Sequence, residues 1–219
     1  MESNSSLVND LQKLYSGRKD EIIERLKEFR QCWSKSSDKE IFRELAFCLL
    51  TPQSKARSCW KAISQMNEDD VLLKGDADRI KPILKKGVRF HNKKAEYLVR
   101  ARSLFMKDGR ISIKKPLKSF PDIYECREWL VKNLTGLGYK EAGHFLRNIG
   151  FGEKIAILDR HILRNLHALG VIDELPESMS NKRYLEIEKK MAEFAGSVNI
   201  PLDHLDLLLW YKETGEIFK

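Results

Sequence analysis

The chain has 219 residues, of which 42% are hydrophobic, and a formal net charge of +8. That length supports one large domain or two small ones with a real core, and the composition excludes a disordered chain. No apolar run approaches the roughly 20 residues that span a bilayer, and Met1 to Asn9 lacks the apolar segment of a signal peptide, so a soluble intracellular protein without membrane contact is expected.

In chain order the dominant period is helical. Ile22, Leu26, Phe29 and Trp33 form one stripe. Ser37 with Glu40 resembles a capping box ahead of Phe42, Leu45, Ala46 and Leu49. Thr51-Pro52 breaks that pattern, and Pro52 is acceptable as the first residue of a further helix burying Ala56, Cys59, Trp60 and Ile63. Asn67 and Asp69 open a short helix that Gly75 closes, and Asn92 suits the cap of a helix carrying Ala95, Leu98, Val99 and Phe105. From Gly109 to Pro121 the chain reads as a connecting loop. Ile123, Arg127, Leu130 and Leu134 resume the stripe, and Ala142, Phe145, Leu146 and Ile149 continue it until Gly150. Ile155 to Leu158 is a short extended run. Asp159 then stands where a cap belongs, before Ile162, Leu163, Leu166 and Leu169, with Gly170 as the stop. Helices over 180–196 and 204–214 end the chain. Strand signals are nearly absent, so the fold is expected to be all-α.

The four cysteines, Cys32, Cys48, Cys59 and Cys126, form no CxxC pair, and no histidine pair has ligand spacing. Buried reduced thiols and no transition metal are expected. The basic charge invites a polyanion, most often nucleic acid, with a solvated lysine-rich surface as the alternative.

The segment 130–150 reads as helix, tight turn, helix, with Gly136 and Gly138 in the turn. Both glycines permit positive φ and close approach of the backbone to a ligand. The N–H groups at the start of the second helix suit an anion such as a phosphodiester; an ordinary αα-turn is the alternative. Lys140 lies in that helix's first turn, where the sign of the dipole disfavours a cation. Such a position favours the neutral amine, a nucleophile that forms a Schiff base; a lysine contacting phosphate is the alternative. Asp159, 19 residues on, is placed to return beside the lysine and stabilise a cationic transition state, a role compatible with capping.

Leu134-x-Gly-Leu-Gly-x-Lys140-x-Ala142 followed by Asp159-Arg-His161 resembles the helix-hairpin-helix base-excision DNA glycosylases. Leu50-Thr-Pro-Gln53, Ala-Ile-Leu-Asp-Arg-His and the Leu-Trp210-Tyr near the end are similar to the compact archaeal-type 8-oxoguanine DNA glycosylases, from about Phe42 to Lys219. The resemblance implies two helical subdomains, about 30–120 and 121–219, with a DNA-binding cleft between them and the N-terminal helix packed on the second. It implies a monomer that acts on double-stranded DNA containing 8-oxoguanine, as glycosylase and AP lyase. Lys140 would attack C1′ and Asp159 would stabilise the oxocarbenium-like state. Phe90 and Trp210 would sandwich the flipped base, the Lys219 carboxylate would meet the guanine edge, Gln53 would fill the gap in the stack, and His161 would contact phosphate. For Phe90 and Trp210 a core position is the alternative, for Gln53 a cap, for His161 a plain surface site. No cysteine follows Cys126, so the iron–sulfur cluster of the endonuclease III branch is not expected. The carbonyls of Leu134 and Leu137 are expected to hold a monovalent cation when DNA is present. A glycosylase for another lesion and a non-catalytic hairpin module remain the competing readings.

Overall fold

The computed structural model describes residues 2–217, and its architecture is helical throughout apart from one small hairpin. Helix α1 (Glu2–Lys35) runs for 34 residues. Helix α2 (Asp38–Leu50) begins with the expected capping box: the Ser37 N–H donates to Glu40 Oε2 at 2.7 Å, and Ser37 Oγ accepts from the Glu40 N–H. Such a cap contributes about 1 kcal/mol. Its apolar residues are buried on every side, which marks it as the central helix of its half.

Helix α3 (Ala56–Glu68) starts four residues later than Pro52, because residues 51–54 form a turn closed by the Ser54 N–H on the Thr51 carbonyl, with Gln53 at φ 53°. Pro52 therefore stands outside the helix rather than at its first position. Helix α4 (Val71–Lys74) is opened by Asp70 in the left-handed region and closed by Gly75. Helix α5 (Ala77–Lys85) contains Pro82, which masks its helical pattern, and is capped by Asp76. Helix α6 (His91–Phe105) is preceded by Phe90 at φ 56°, so Asn92 is inside the helix and does not cap it. The expected loop after it is partly ordered. Strands β1 (Met106–Lys107) and β2 (Arg110–Ile111) pair antiparallel around Asp108-Gly109, and α7 (Lys114–Leu117) adds one turn.

Helices α8 (Ile123–Asn133), α9 (Tyr139–Asn148), α10 (Arg160–Ala168), α11 (Asn181–Ser197) and α12 (Leu202–Thr214) complete the chain. Helix α9 ends in a Schellman motif. Gly150 sits at φ 93°, its N–H meets the Arg147 carbonyl at 2.9 Å, and the Phe151 N–H meets the Leu146 carbonyl at 2.8 Å. Gly170 closes α10 the same way, at φ 70°.

Two apolar cores result. The first gathers α2, α3, α5 and α6 with the inner faces of α8 and α9, around Phe42, Phe47, Ile63, Leu98 and Phe145. The second gathers α1 and α10 to α12, around Ile22, Leu166, Met191 and Leu208. Tyr15 Oη lies 2.9 Å from His204 Nδ1, tying α1 to α12. Cys48, Cys59 and Cys126 are buried and outside any disulfide; Cys32 is half-buried. Among the described residues no helix is long and apolar enough to cross a membrane.

Candidate active site

The turn between α8 and α9 is built on a single left-handed glycine. The Leu134 N–H ends α8 on the Leu130 carbonyl, and the Leu137 N–H returns to the Leu134 carbonyl at 3.2 Å. Gly136 lies between them at φ 87°, with the Tyr97 ring of α6 pressed where a Cβ would stand. Gly138 is different from the sequence expectation: at φ −92° and ψ −177° it is extended, as an N-cap residue must be. Having no side chain, it leaves the first N–H groups of α9 without a capping acceptor. Those donors and the helix dipole together favour an anion at this end.

Lys140 is the second residue of α9. Its side chain is about a quarter exposed, and Nζ lies 3.2 Å from Glu141 Oε1. Tyr139 is turned inward, where Oη donates to Glu128; burial and that carboxylate push its pKa up to about 12.

The extended run Ile155–Leu158 has no strand partner, so side chains satisfy its backbone. Glu188 Oε1 accepts from the Ala156 N–H at 2.8 Å, Asp206 Oδ1 from Ile157 at 3.0 Å, and Tyr184 Oη from Leu158 at 3.2 Å. Tyr184 Oη in turn donates to the Ala156 carbonyl at 2.7 Å. Each of the two acids is paired: Arg127 grips Glu188 with both Nη atoms at 2.6 and 2.7 Å, and Arg147 meets Asp206 at 2.8 Å. Complete burial nonetheless pushes the Asp206 carboxyl up to about 6. This frame delivers Asp159 as the cap of α10, where Oδ1 accepts from the His161 and Ile162 N–H groups at 2.8 and 2.9 Å.

A cleft of about 960 Å³ is lined by Lys140, Asp159, Gln53, His161 and Trp210, five of the residues singled out in the sequence. Glu141, Arg147 and Asp206 line it too, and Lys55, Arg89 and Arg160 add positive charge. The His161 ring meets Trp210 edge-on, with centroids 5.4 Å apart. His161 Nδ1 lies 3.3 Å from Glu213 Oε2, whose own pKa is held low by the Asn165 amide and by His161. Phe90 stands apart from this lining: it is exposed, with the Arg89 guanidinium 5.6 Å from its ring centroid. Gly136 and Gly138 shape the hairpin without lining the cleft, and Lys219 lies outside the described residues. No cluster of three or more His, Cys, Asp or Glu side chains able to hold a metal ion occurs among the described residues.

A family model described as 8-oxoguanine DNA glycosylase matches residues 22–200. The chain is 53% identical over 211 residues to the 8-oxoguanine DNA glycosylase/AP lyase of Fusobacterium nucleatum, covering 96% of this chain and 97% of that one. It superposes, at TM-score 0.88 and 38% identity, on the 8-oxoguanine glycosylase/lyase of Methanocaldococcus jannaschii solved in complex with a 15mer DNA containing 8-oxoguanine, covering 98% of this chain and 100% of that one. The crystal structure of the 8-oxoguanine DNA glycosylase of Thermotoga maritima gives TM-score 0.87 at 32% identity, covering 99% and 100%.

Proposed function

The chain belongs to the 8-oxoguanine DNA glycosylase family, and from that premise we propose that it excises 8-oxoguanine from duplex DNA and nicks the strand as an AP lyase. The observation that carries this reading is the meeting of Lys140 and Asp159 in one basic cleft with Trp210 and His161.

The target nucleotide is extruded from the stack before any bond changes. Lys140 Nζ, as the free amine, attacks C1′; the C1′–N9 bond breaks and its electron pair leaves with the base, which takes up a proton. The Asp159 carboxylate stabilises the positive charge that builds on the sugar as that bond breaks. Expulsion of the ring oxygen then gives the iminium, opening the sugar. Loss of a C2′ proton expels the 3′ phosphate, and water hydrolyses the iminium to free Lys140. The uncapped start of α9 receives a backbone phosphate, and His161 contacts another. Trp210 stacks on one face of the extruded base, the exposed Phe90 ring covers the other, and Gln53 occupies the vacated stack. The Lys219 carboxylate reads the guanine edge.

Borohydride reduction during turnover is the test. The parent protein should yield a covalent protein–DNA adduct on 8-oxoguanine duplex, and Lys140→Gln should lose both adduct and nicking while still binding the duplex. Absence of an adduct with the parent protein, or nicking by Lys140→Gln, would remove the lysine from the mechanism.

A further inference from the structure

Two turns at the first-core edge of the cleft hold residues in an unusual backbone state. Gln53, in the 51–54 turn, is at φ 53°, and Phe90, before α6, is at φ 56°. Side chains other than glycine rarely adopt this region, so each turn needs an external restraint. One side chain supplies both. Lys94, in the first turn of α6, is only 3% exposed. Its Nζ donates to the Leu50 carbonyl at 2.7 Å, the Pro52 carbonyl at 2.7 Å and Ser54 Oγ at 3.0 Å. Those three acceptors use all three ammonium protons and bracket Gln53 on both sides. Ser54 Oγ also accepts from the Arg89 N–H at 3.0 Å, which passes the restraint to the residue before Phe90.

This cation is costly to keep. Its three hydrogen-bond acceptors are all neutral, and burial lowers its pKa to about 8. A methionine would fill the same space without that cost, but it would leave the Leu50 and Pro52 carbonyls without this donor, so what the charge secures is the geometry of this turn.

We propose that Lys94 is a positioning residue for base extrusion, holding the Gln53 and Phe90 turns in the one arrangement that fills the gap in the stack and receives the flipped base. The inference rests on the reading above that these turns act on DNA, and it adds the part that sets them.

The test compares two substrates. Excision of 8-oxoguanine needs extrusion and recognition of a base, whereas trapping on a preformed abasic site needs Lys140 and the phosphate contacts but no base to extrude or recognise. Under single-turnover conditions Lys94→Met should excise 8-oxoguanine at least tenfold more slowly than the parent, while its trapping rate on abasic duplex stays within twofold. A 2-aminopurine placed beside the lesion should show a smaller fluorescence rise. Unchanged excision by Lys94→Met, or equal loss on both substrates, overturns the proposal. If Lys94→Met fails to fold, Ser54→Ala decides: it removes one acceptor and the link to Arg89, and an unchanged ratio of the two rates overturns the proposal. A parent protein that does not trap abasic DNA would sink the Lys140 chemistry instead, which keeps the two failures distinct.

Discussion

Asp159 caps α10, and single substitutions can separate that job from the catalytic one proposed for it. Asn is as good an N-cap as Asp, so Asp159→Asn should melt close to the parent temperature while excision falls about a hundredfold or more. Asp159→Ala should lose the cap as well, costing about 1 kcal/mol, which a thermal melt would register as a fall of roughly 2–4 °C. A normal excision rate in Asp159→Asn would leave only the capping role. Gly136 offers a second separation. Gly136→Ala imposes a left-handed alanine and collides with Tyr97, so a loss of about 2 kcal/mol or more is expected in urea unfolding. Adding Tyr97→Ala should recover the collision and leave the backbone strain. Lys94 carries a pH signature of its own. Its pKa falls from 10.5 to about 8 on folding, so between those values the unfolded chain binds more protons. The cost of the buried charge is full below pH 8 and is relieved as pH rises toward 10.5. The stability of the parent relative to Lys94→Met should therefore improve between pH 7.5 and 9.5. The groups that act electrostatically on Lys94 include Cys59, Glu141, Lys140 and Arg89; the Cys59 thiol, raised to about 11 by burial, stays neutral across that window. Lys140 and Asp159 were visible in the sequence because each breaks or exploits a rule of helix ends. Lys94 was not, since a lysine in a helical stretch looks the same whether its amine faces water or two carbonyls and a hydroxyl.

Helices were legible wherever their apolar stripes were uninterrupted and their caps were made by side chains. The Ser37 box, the Asp159 cap and the Gly150 and Gly170 stops all stand where the pattern put them. The misses share a cause: backbone states that sequence pattern does not encode. Phe90 and Asp70 open helices from the left-handed region with no side-chain cap, and Pro82 sits inside a helix that packs well enough to tolerate it. The extended run before Asp159 was legible as apolar, but its fixation was not, because Glu188, Tyr184 and Asp206 come from helices far along the chain. That fixation should be strong. Glu188→Ala leaves Arg127 buried without its carboxylate and the Ala156 N–H without its acceptor, so a loss of about 3–5 kcal/mol in denaturant unfolding is expected.

At the scale of the molecule, the net charge is +8, and the cleft lining shares in that positive excess. Lys55, Arg89, Lys140 and Arg160 all line the cleft. With Lys140 reserved as the free amine, if the other three each neutralise one phosphate, at about 0.9 per contact the logarithm of duplex affinity should fall with the logarithm of salt at a slope of roughly −3. Fluorescence anisotropy across a salt series measures this, and a flat response would deny the cleft its partner. The same scale gives the first helix its meaning. A family match that begins at residue 22 starts midway along α1, yet Leu11 is already buried in the second core. Farther on, the backbone of Phe29 and Arg30 presses against Gly150, so closely that a Cβ there would stand 2.6 Å from Arg30 Cα. The helix thus bolts the C-terminal end of α9, the helix that carries Lys140, to the far half of the protein. Trimming the gene to a minimal enzyme at the Ser36 junction would strip a greasy flank off α12 and unseat α9 in a single cut, leaving an aggregating remnant where a smaller tool was wanted.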